Sequence, residues 1–272
     1  MRIACWSGPR NMSTALMRSW SSRESIFVSD EPFYAYYLKE KELKHPMYKE
    51  IIEYYPNKYE DIVMSLTSKI PGKKEHWYQK HMAHHLIDLD NIAWIQELEN
   101  CILIRHPKDV INSYTKKNKL THIDELGYSQ QYRLIEYLKK NNQNITVIDS
   151  SILLQNPKRI LSKWCENLNI DFSIKMLKWK RGLYSTDGIW GVHWYNNVIN
   201  TNQFISFEKK GNNIANEYQS IYDQALVYYN EMYDEYEDLL GEDEEPIESN
   251  WFTTDKVNKI KYVHDYLDSN KY

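Results

Sequence analysis

The sequence predicts an α/β fold, a three-layer sandwich in which a central, mainly parallel β-sheet is flanked by helices. Three observations predict it. Short apolar runs alternate with amphipathic stretches, the pattern that successive βα units give. Runs such as Ile3-Ala4-Cys5-Trp6 and Cys101-Ile102-Leu103-Ile104 read as strands buried inside a covered sheet. The chain of 272 residues, 42% hydrophobic and 26% charged, has ordinary globular composition and is long enough for one domain with a large core.

The elements follow in order. Residues 2–6 read as a strand and 7–12 as a loop with Gly8, Pro9 and Asn11. A helix begins near Ser13 and runs to about Ser22, with Ala15, Leu16, Ser19 and Trp20 at helical spacing. Residues 26–29 form a second strand, ending at Asp30-Glu31-Pro32. Residues 34–70 read as helical, broken at Pro46 and Pro56. Strands follow at 76–82 and 101–105, and Pro107 opens a helix at a position suited to proline. Residues 129–141 are an amphipathic helix, 145–148 a strand and 157–168 a helix. From about 180 to 215 the periodicity weakens around Gly182, Gly188, Gly191 and Gly211, and such irregular stretches often serve as functional loops. Helix resumes over 215–240. Residues 241–245 are an acidic run expected as a solvated loop, and 250–270 read as a helical tail.

Composition narrows the function. The formal net charge is −4, with none of the basic balance of a chain that wraps nucleic acid, so no nucleic-acid partner is expected. A small polyanion remains compatible, because only the local field matters to it. Cys5, Cys101 and Cys165 are too few and too widely spaced for a disulfide or zinc framework and read as buried thiols. No stretch approaches the roughly 18 apolar residues of a membrane span, and the N-terminus lacks a signal-peptide pattern. A soluble, cytoplasmic protein is the expectation.

Two segments carry chemistry. Trp6-Ser7-Gly8-Pro9-Arg10-Asn11-Met12-Ser13-Thr14 joins the first strand to the first helix. A helix start offers free N–H groups and partial positive charge to a phosphate. Ser13 and Thr14 add hydroxyls and Arg10 a fixed bidentate cation. The segment lacks the second glycine and the lysine of a Walker A loop. The other segment is Arg105-His106-Pro107-Lys108-Asp109-Val110-Ile111-Asn112-Ser113-Tyr114. Arg105 stands at a strand end, where parallel sheets bind ligands, and Ser113 follows eight residues later in the helix, a pairing suited to a second phosphate.

Together these segments resemble the PAPS-dependent sulfotransferases, which transfer a sulfuryl group from 3′-phosphoadenosine 5′-phosphosulfate and have a P-loop-NTPase-like fold. Pro9-Arg10-Asn11-Met12-Ser13-Thr14 is similar to the family's 5′-phosphosulfate loop, although Asn11-Met12 replace its usual Ser-Gly. Residues 105–114 are similar to its 3′-phosphate element at nearly every fixed position. The likeness spans roughly residues 1–180, and the family's late R-K-G element has only a faint echo in Lys209-Lys210-Gly211. It implies that Arg10, Asn11, Ser13 and Thr14 hold the 5′-phosphosulfate and that Arg105 and Ser113 hold the 3′-phosphate, with PAP as product. Arg10 is then also catalytic, meeting the charge that develops on the bridging oxygen.

A hydroxyl attacking in line needs a base. Glu31, in Asp30-Glu31-Pro32-Phe33, is one candidate, since burial among Phe33, Tyr34, Tyr36 and Tyr37 would raise a glutamate from about 4.3. His81, in Lys80-His81, is the other, resembling the family's base histidine with spacing off by one. His81, His84 and His85 also invite a metal reading, but no cysteine or H-E-x-x-H pattern accompanies them and no metal is expected. Trp190, Trp194, Tyr195 and Phe204 suit either adenine stacking, the acceptor pocket or core packing.

The expectation is one sulfotransferase domain over 1–272, with a PAPS-binding core at 1–180 and acceptor-side loops and C-terminal helices at 181–272. It would act on a small-molecule acceptor and form a possible homodimer. Two alternatives remain. One is a P-loop small-molecule kinase, with Asp149 at a strand end as magnesium holder. The other is a non-catalytic nucleotide-binding protein.

Overall fold

Five parallel strands form the central sheet: β1 (Arg2–Ser7), β2 (Ile26–Asp30), β3 (His76–Met82), β4 (Glu99–Ile104) and β5 (Ile145–Asp149). The computed structural model describes residues 1–87, 89–205 and 213–240, with side chains as far as Asp234. In space the strands run β2-β3-β1-β4-β5, each parallel to its neighbours. After the first residue of each, β1 and β4 are buried throughout, as expected where helices cover both faces of a parallel sheet.

The helices fill the intervals. They are α1 (Ser13–Ser21), α2 (Tyr34–Glu40), α3 (Tyr48–Tyr54), α4 (Tyr59–Thr67) and α5 (Pro107–Tyr114). Then come α6 (Tyr128–Lys140), α7 (Ser150–Gln155), α8 (Pro157–Asn167), the short α9 (Gly191–Trp194) and α10 (Gln219–Leu240). Pro107 and Pro157 each occupy a first turn, where the missing N–H costs nothing. The 34–70 stretch divides into α2, α3 and α4 around Pro46 and Pro56, as the sequence indicates. The Lys209-Lys210-Gly211 echo, the acidic run and the expected tail lie outside the described residues.

Successive residues of a strand point to opposite faces, and β3 divides the core accordingly. Tyr78 stacks on Trp20 of α1 at 5.5 Å, and Trp20 meets Trp164 of α8 edge-on at 4.8 Å. On the other face His81 stacks on Trp6 of β1 at 4.1 Å, beside Phe33 and Trp94. The indole N–H of Trp6 donates to Asn100 of β4 at 2.9 Å, so this buried donor is satisfied across the sheet.

The strand order fixes where a ligand can sit. The chain moves from β1 outward through β2, returns to β3, then crosses to β4 on the far side of β1. The order therefore reverses between β1 and β4, and the carboxyl ends of those strands border a switch-point crevice. The loop after Ser7 and the residues after Ile104 both emerge there. Asp30 lies in register with Lys80 at the ends of β2 and β3, one step along the same edge.

Candidate functional site

The loop from β1 to α1 owes its shape to three residues. Gly8 approaches the neighbouring backbone so closely that a Cβ there would stand 2.2 Å from the Leu126 carbonyl oxygen. Arg10 and Met12 both adopt left-handed backbone angles, with φ of 64° and 68°, a region costly for residues other than glycine. Helix α1 then begins without a side-chain cap and without an acidic residue in its first turn. Its first N–H groups and partial positive charge are thus directed at the loop.

Struts hold this loop against the sheet. The Asn11 side-chain amide donates to the Leu103 carbonyl at 3.0 Å and is 1% exposed. Its side chain braces the loop from beneath. The Ser150 hydroxyl lies 2.8 Å from the Asn11 carbonyl and 2.7 Å from that of Ile104, and Gln131 donates to the carbonyls of Trp6 and Leu103. Ser13 is buried and Thr14 half-buried at the helix start.

Arg10 and Arg105 meet at the crevice. Arg105 donates to the Arg10 carbonyl at 2.8 Å, and the Arg10 guanidinium donates to the Ser113 hydroxyl on α5 at 2.8 Å. The structure therefore joins three expected ligand residues from two distant segments. Burial first, and the Arg105 charge second, push the Arg10 guanidinium below its ordinary range. Asp109 lies 3.9 Å from Arg105. Two like charges crowded beside an uncapped helix start form an arrangement that an anion stabilises.

A second cluster lies at the ends of β2 and β3. Lys80 is buried and forms ion pairs with both Asp30, at 2.9 Å, and Glu31. The two carboxylates raise the Lys80 ammonium pKa although burial works the other way. Burial, together with the Asp30 charge, raises the Glu31 carboxyl, although Lys80 opposes this. The Tyr195 hydroxyl sits among them, 2.7 and 2.6 Å from the two Asp30 oxygens and 3.0 Å from Lys80 Nζ. Glu31 takes a φ of 46°, pinned by its N–H to the Lys80 carbonyl and by its own carbonyl accepting from the Tyr34 N–H.

His81 is elsewhere. Adjacent to Lys80 on a strand, it must face the other side of the sheet, where it is 1% exposed. Its Nε2 lies 3.2 Å from the Gln79 side-chain oxygen, and burial pushes its pKa down to about 3. A neutral imidazole closed into an aromatic core is a poor proton acceptor at neutral pH, so the geometry argues against His81 as base. His84 and His85 occupy a 3-10 turn after β3, and their rings meet edge-on at 4.5 Å. Among the described residues no group of three or more metal-ligating side chains comes together.

Other expected roles change too. Asp149 is the N-cap of α7, accepting from the Ser151 and Ile152 N–H groups, while its other oxygen accepts from Tyr229 of α10 at 2.9 Å. Both oxygens are committed, which removes the feature that favoured a magnesium-dependent kinase. Trp190 and Tyr195 are buried; Phe204 packs edge-on against Trp179 at 5.0 Å. Sequence reasoning gave no role to Asp30 and an open one to Tyr195. The signal available was a charged residue near the carboxyl end of each of two strands, Asp30 and Lys80, which demands partners when buried.

A family model described as a sulfotransferase domain matches residues 1–235, and the chain belongs to that family. The solved sulfotransferase domain from the Synechococcus PCC 7002 olefin synthase is similar in fold, with a TM-score of 0.55 and 16% identity over 85% of this chain and 94% of that one. Two Arabidopsis thaliana proteins, branched-chain-amino-acid aminotransferase-like proteins 2 and 1, are 31% and 29% identical to it. Each match covers 84% of this chain but only 40% and 41% of the relative, so the chain spans about two fifths of their length. Among the described residues no helix is long and apolar enough to cross a membrane.

Proposed function

We propose that this chain transfers a sulfuryl group from PAPS to a hydroxyl or amine of a small-molecule acceptor, with Glu31 as general base. The observation that carries the reading is the convergence of Arg10 and Arg105 beside the uncapped start of α1. In this reading Arg10, Ser13 and Thr14 hold the 5′-phosphosulfate, with Arg105 and Ser113 on the 3′-phosphate. The donor supplies an activated sulfuryl group. Arg10 steadies the charge that builds on the oxygen between phosphorus and sulfur. Glu31, raised by burial and by Asp30, removes the acceptor's proton as the bond forms. Residues 1–180 act as the donor-binding core, and the seating of Trp190 and Tyr195 beside Asp30 supports an acceptor-side role for the segment after 180.

Calorimetry with PAP, run beside ATP with magnesium, tests the donor. The expected result is tight PAP binding that needs no metal. Binding of ATP with magnesium and not of PAP would overturn the reading in favour of a phosphotransferase. Glu31→Gln should leave PAP affinity nearly unchanged while abolishing turnover in an acceptor screen. Turnover that survives Glu31→Gln would remove Glu31 as base.

A further inference from the structure

Lys80 is a buried ammonium with three N–H bonds and three described acceptors: Asp30 Oδ1 at 2.9 Å, Glu31 Oε1, and the Tyr195 hydroxyl at 3.0 Å. All its donors are therefore used. The Tyr195 hydroxyl is equally committed. It accepts from Lys80 and from the Trp190 indole at 3.2 Å, and its one proton is shared between the Asp30 oxygens, at 2.7 and 2.6 Å, and Glu31 Oε1, at 3.3 Å. Asp30 completes the set by accepting from the Gly188 N–H at 3.0 Å. The described bonds of the Glu31 side chain all fall on Oε1.

Two of the Asp30 partners, Gly188 and Tyr195, arrive from a segment more than 150 residues away. Residues 187–195 are fastened at one end by Arg18 of α1, whose guanidinium grips both oxygens of Asp187 at 2.5 and 2.6 Å with both side chains almost wholly buried. At the other end Tyr195 reaches Asp30. A segment held by two buried polar anchors is fixed in position, because either anchor released alone leaves a charge without its partner.

We propose that Asp30 and Tyr195 are positioning residues for Glu31. They fix the Lys80 ammonium on Oε1, so that Oε2 is the oxygen presented to the acceptor. The base is complete only with segment 187–195 seated. The inference rests on the reading of Glu31 as base. The groups facing Glu31 are Asp30 beside it, Lys80 from β3, Tyr195 after α9, and Tyr34 of α2, whose phenol is raised by burial and then by Glu31.

The two residues push Glu31 in opposite directions. Asp30 adds a negative neighbour that raises its pKa, and the Tyr195 hydroxyl offers a hydrogen bond that lowers it. The test is the titration of Glu31 by carbon NMR in the full chain labelled at glutamate carboxyls, with Glu31→Gln assigning the signal. Asp30→Asn is expected to move the midpoint down and Tyr195→Phe to move it up. A midpoint unmoved by Tyr195→Phe, or moved the same way by both, overturns the proposal. If Asp30→Asn does not fold, Tyr195→Phe alone decides. PAP calorimetry on the same samples keeps the outcomes separate: lost PAP binding with the expected titrations refutes the donor and leaves the positioning intact.

Discussion

The guanidinium of Arg10 donates to the hydroxyl of Ser113 at 2.8 Å, joining the loop after β1 to the helix after β4 across 103 residues of sequence. The two segments expected to serve the two ends of a nucleotide are thereby one hydrogen-bonded unit. Ser113→Ala should weaken PAP binding by about 1 kcal/mol, the usual worth of one such bond. In a double-mutant cycle with Arg10→Ala the losses should fall short of additive. Strict additivity by calorimetry would show that the contact does not couple the two ends.

Arg105→Ala should cost more. It removes a cation and frees the Arg10 carbonyl, which Arg105 holds in the left-handed turn. A loss of roughly 2 kcal/mol or more in PAP affinity is expected, about thirtyfold in Kd. Unchanged affinity in a folded variant would sink the site.

Gly8→Ala tests the close approach. The added methyl would meet the Leu126 carbonyl oxygen at 2.2 Å, against backbone that has little room to retreat. The loop must shift, and anion binding should fall while the fold survives. Wild-type affinity measured by calorimetry would mean that residues 122–127 yield instead.

Gly188→Ala tests the anchored segment. A Cβ at Gly188 would stand 2.1 Å from the Trp190 ring. Displacing that indole also disturbs the Gly188 N–H bond to Asp30. A loss of about 1–3 kcal/mol in denaturant titration is expected for overpacking of this kind. A smaller loss would show that Trp190 has another place to go.

Acid should destabilise the protein through its buried histidines. His81 titrates at about 3 in the fold against a reference of 6.5, burial being the larger cause and Lys80 the smaller. A base with a depressed folded pKa gives stability that is complete above the unfolded value and is lost as pH falls toward the folded one. Between about pH 7.5 and pH 5 His81 alone accounts for about 2 kcal/mol. Glu31 and Asp149, raised by burial, act in the opposite sense near their own reference values. His81→Phe keeps an aromatic ring against Trp6 and should flatten the acid limb by that amount; an unaltered limb in urea unfolding at the two pH values would contradict the assignment.

Much of the sheet is legible in the sequence because buried parallel strands leave uninterrupted apolar runs, as at Ile3-Ala4-Cys5-Trp6. The anion loop is legible because its residues are contiguous. The choice between Glu31 and His81 is not, since it depends on which face of β3 a residue takes, and Lys80 and His81 take opposite ones. Asp149 offered a readable signal: aspartate before Ser150-Ser151-Ile152 is a helix N-cap pattern. Tyr195 lay beyond reach. Its bond to Asp30 spans 165 residues, and no periodicity encodes such a pairing.

Lys80 and Asp30 are each 1% exposed at their side chains, whereas Arg105 and Asp109 are open to solvent at 14% and 33%. Mobile ions reach the second pair and not the first. Raising salt shortens the Debye length, about 8 Å at physiological ionic strength, and so weakens the attraction of an anion to the arginine crevice while leaving the lysine cluster as it is. Added salt therefore distinguishes the two halves of the site without any mutation: donor affinity should fall with ionic strength, and the ionisation of Glu31 should stay where it was.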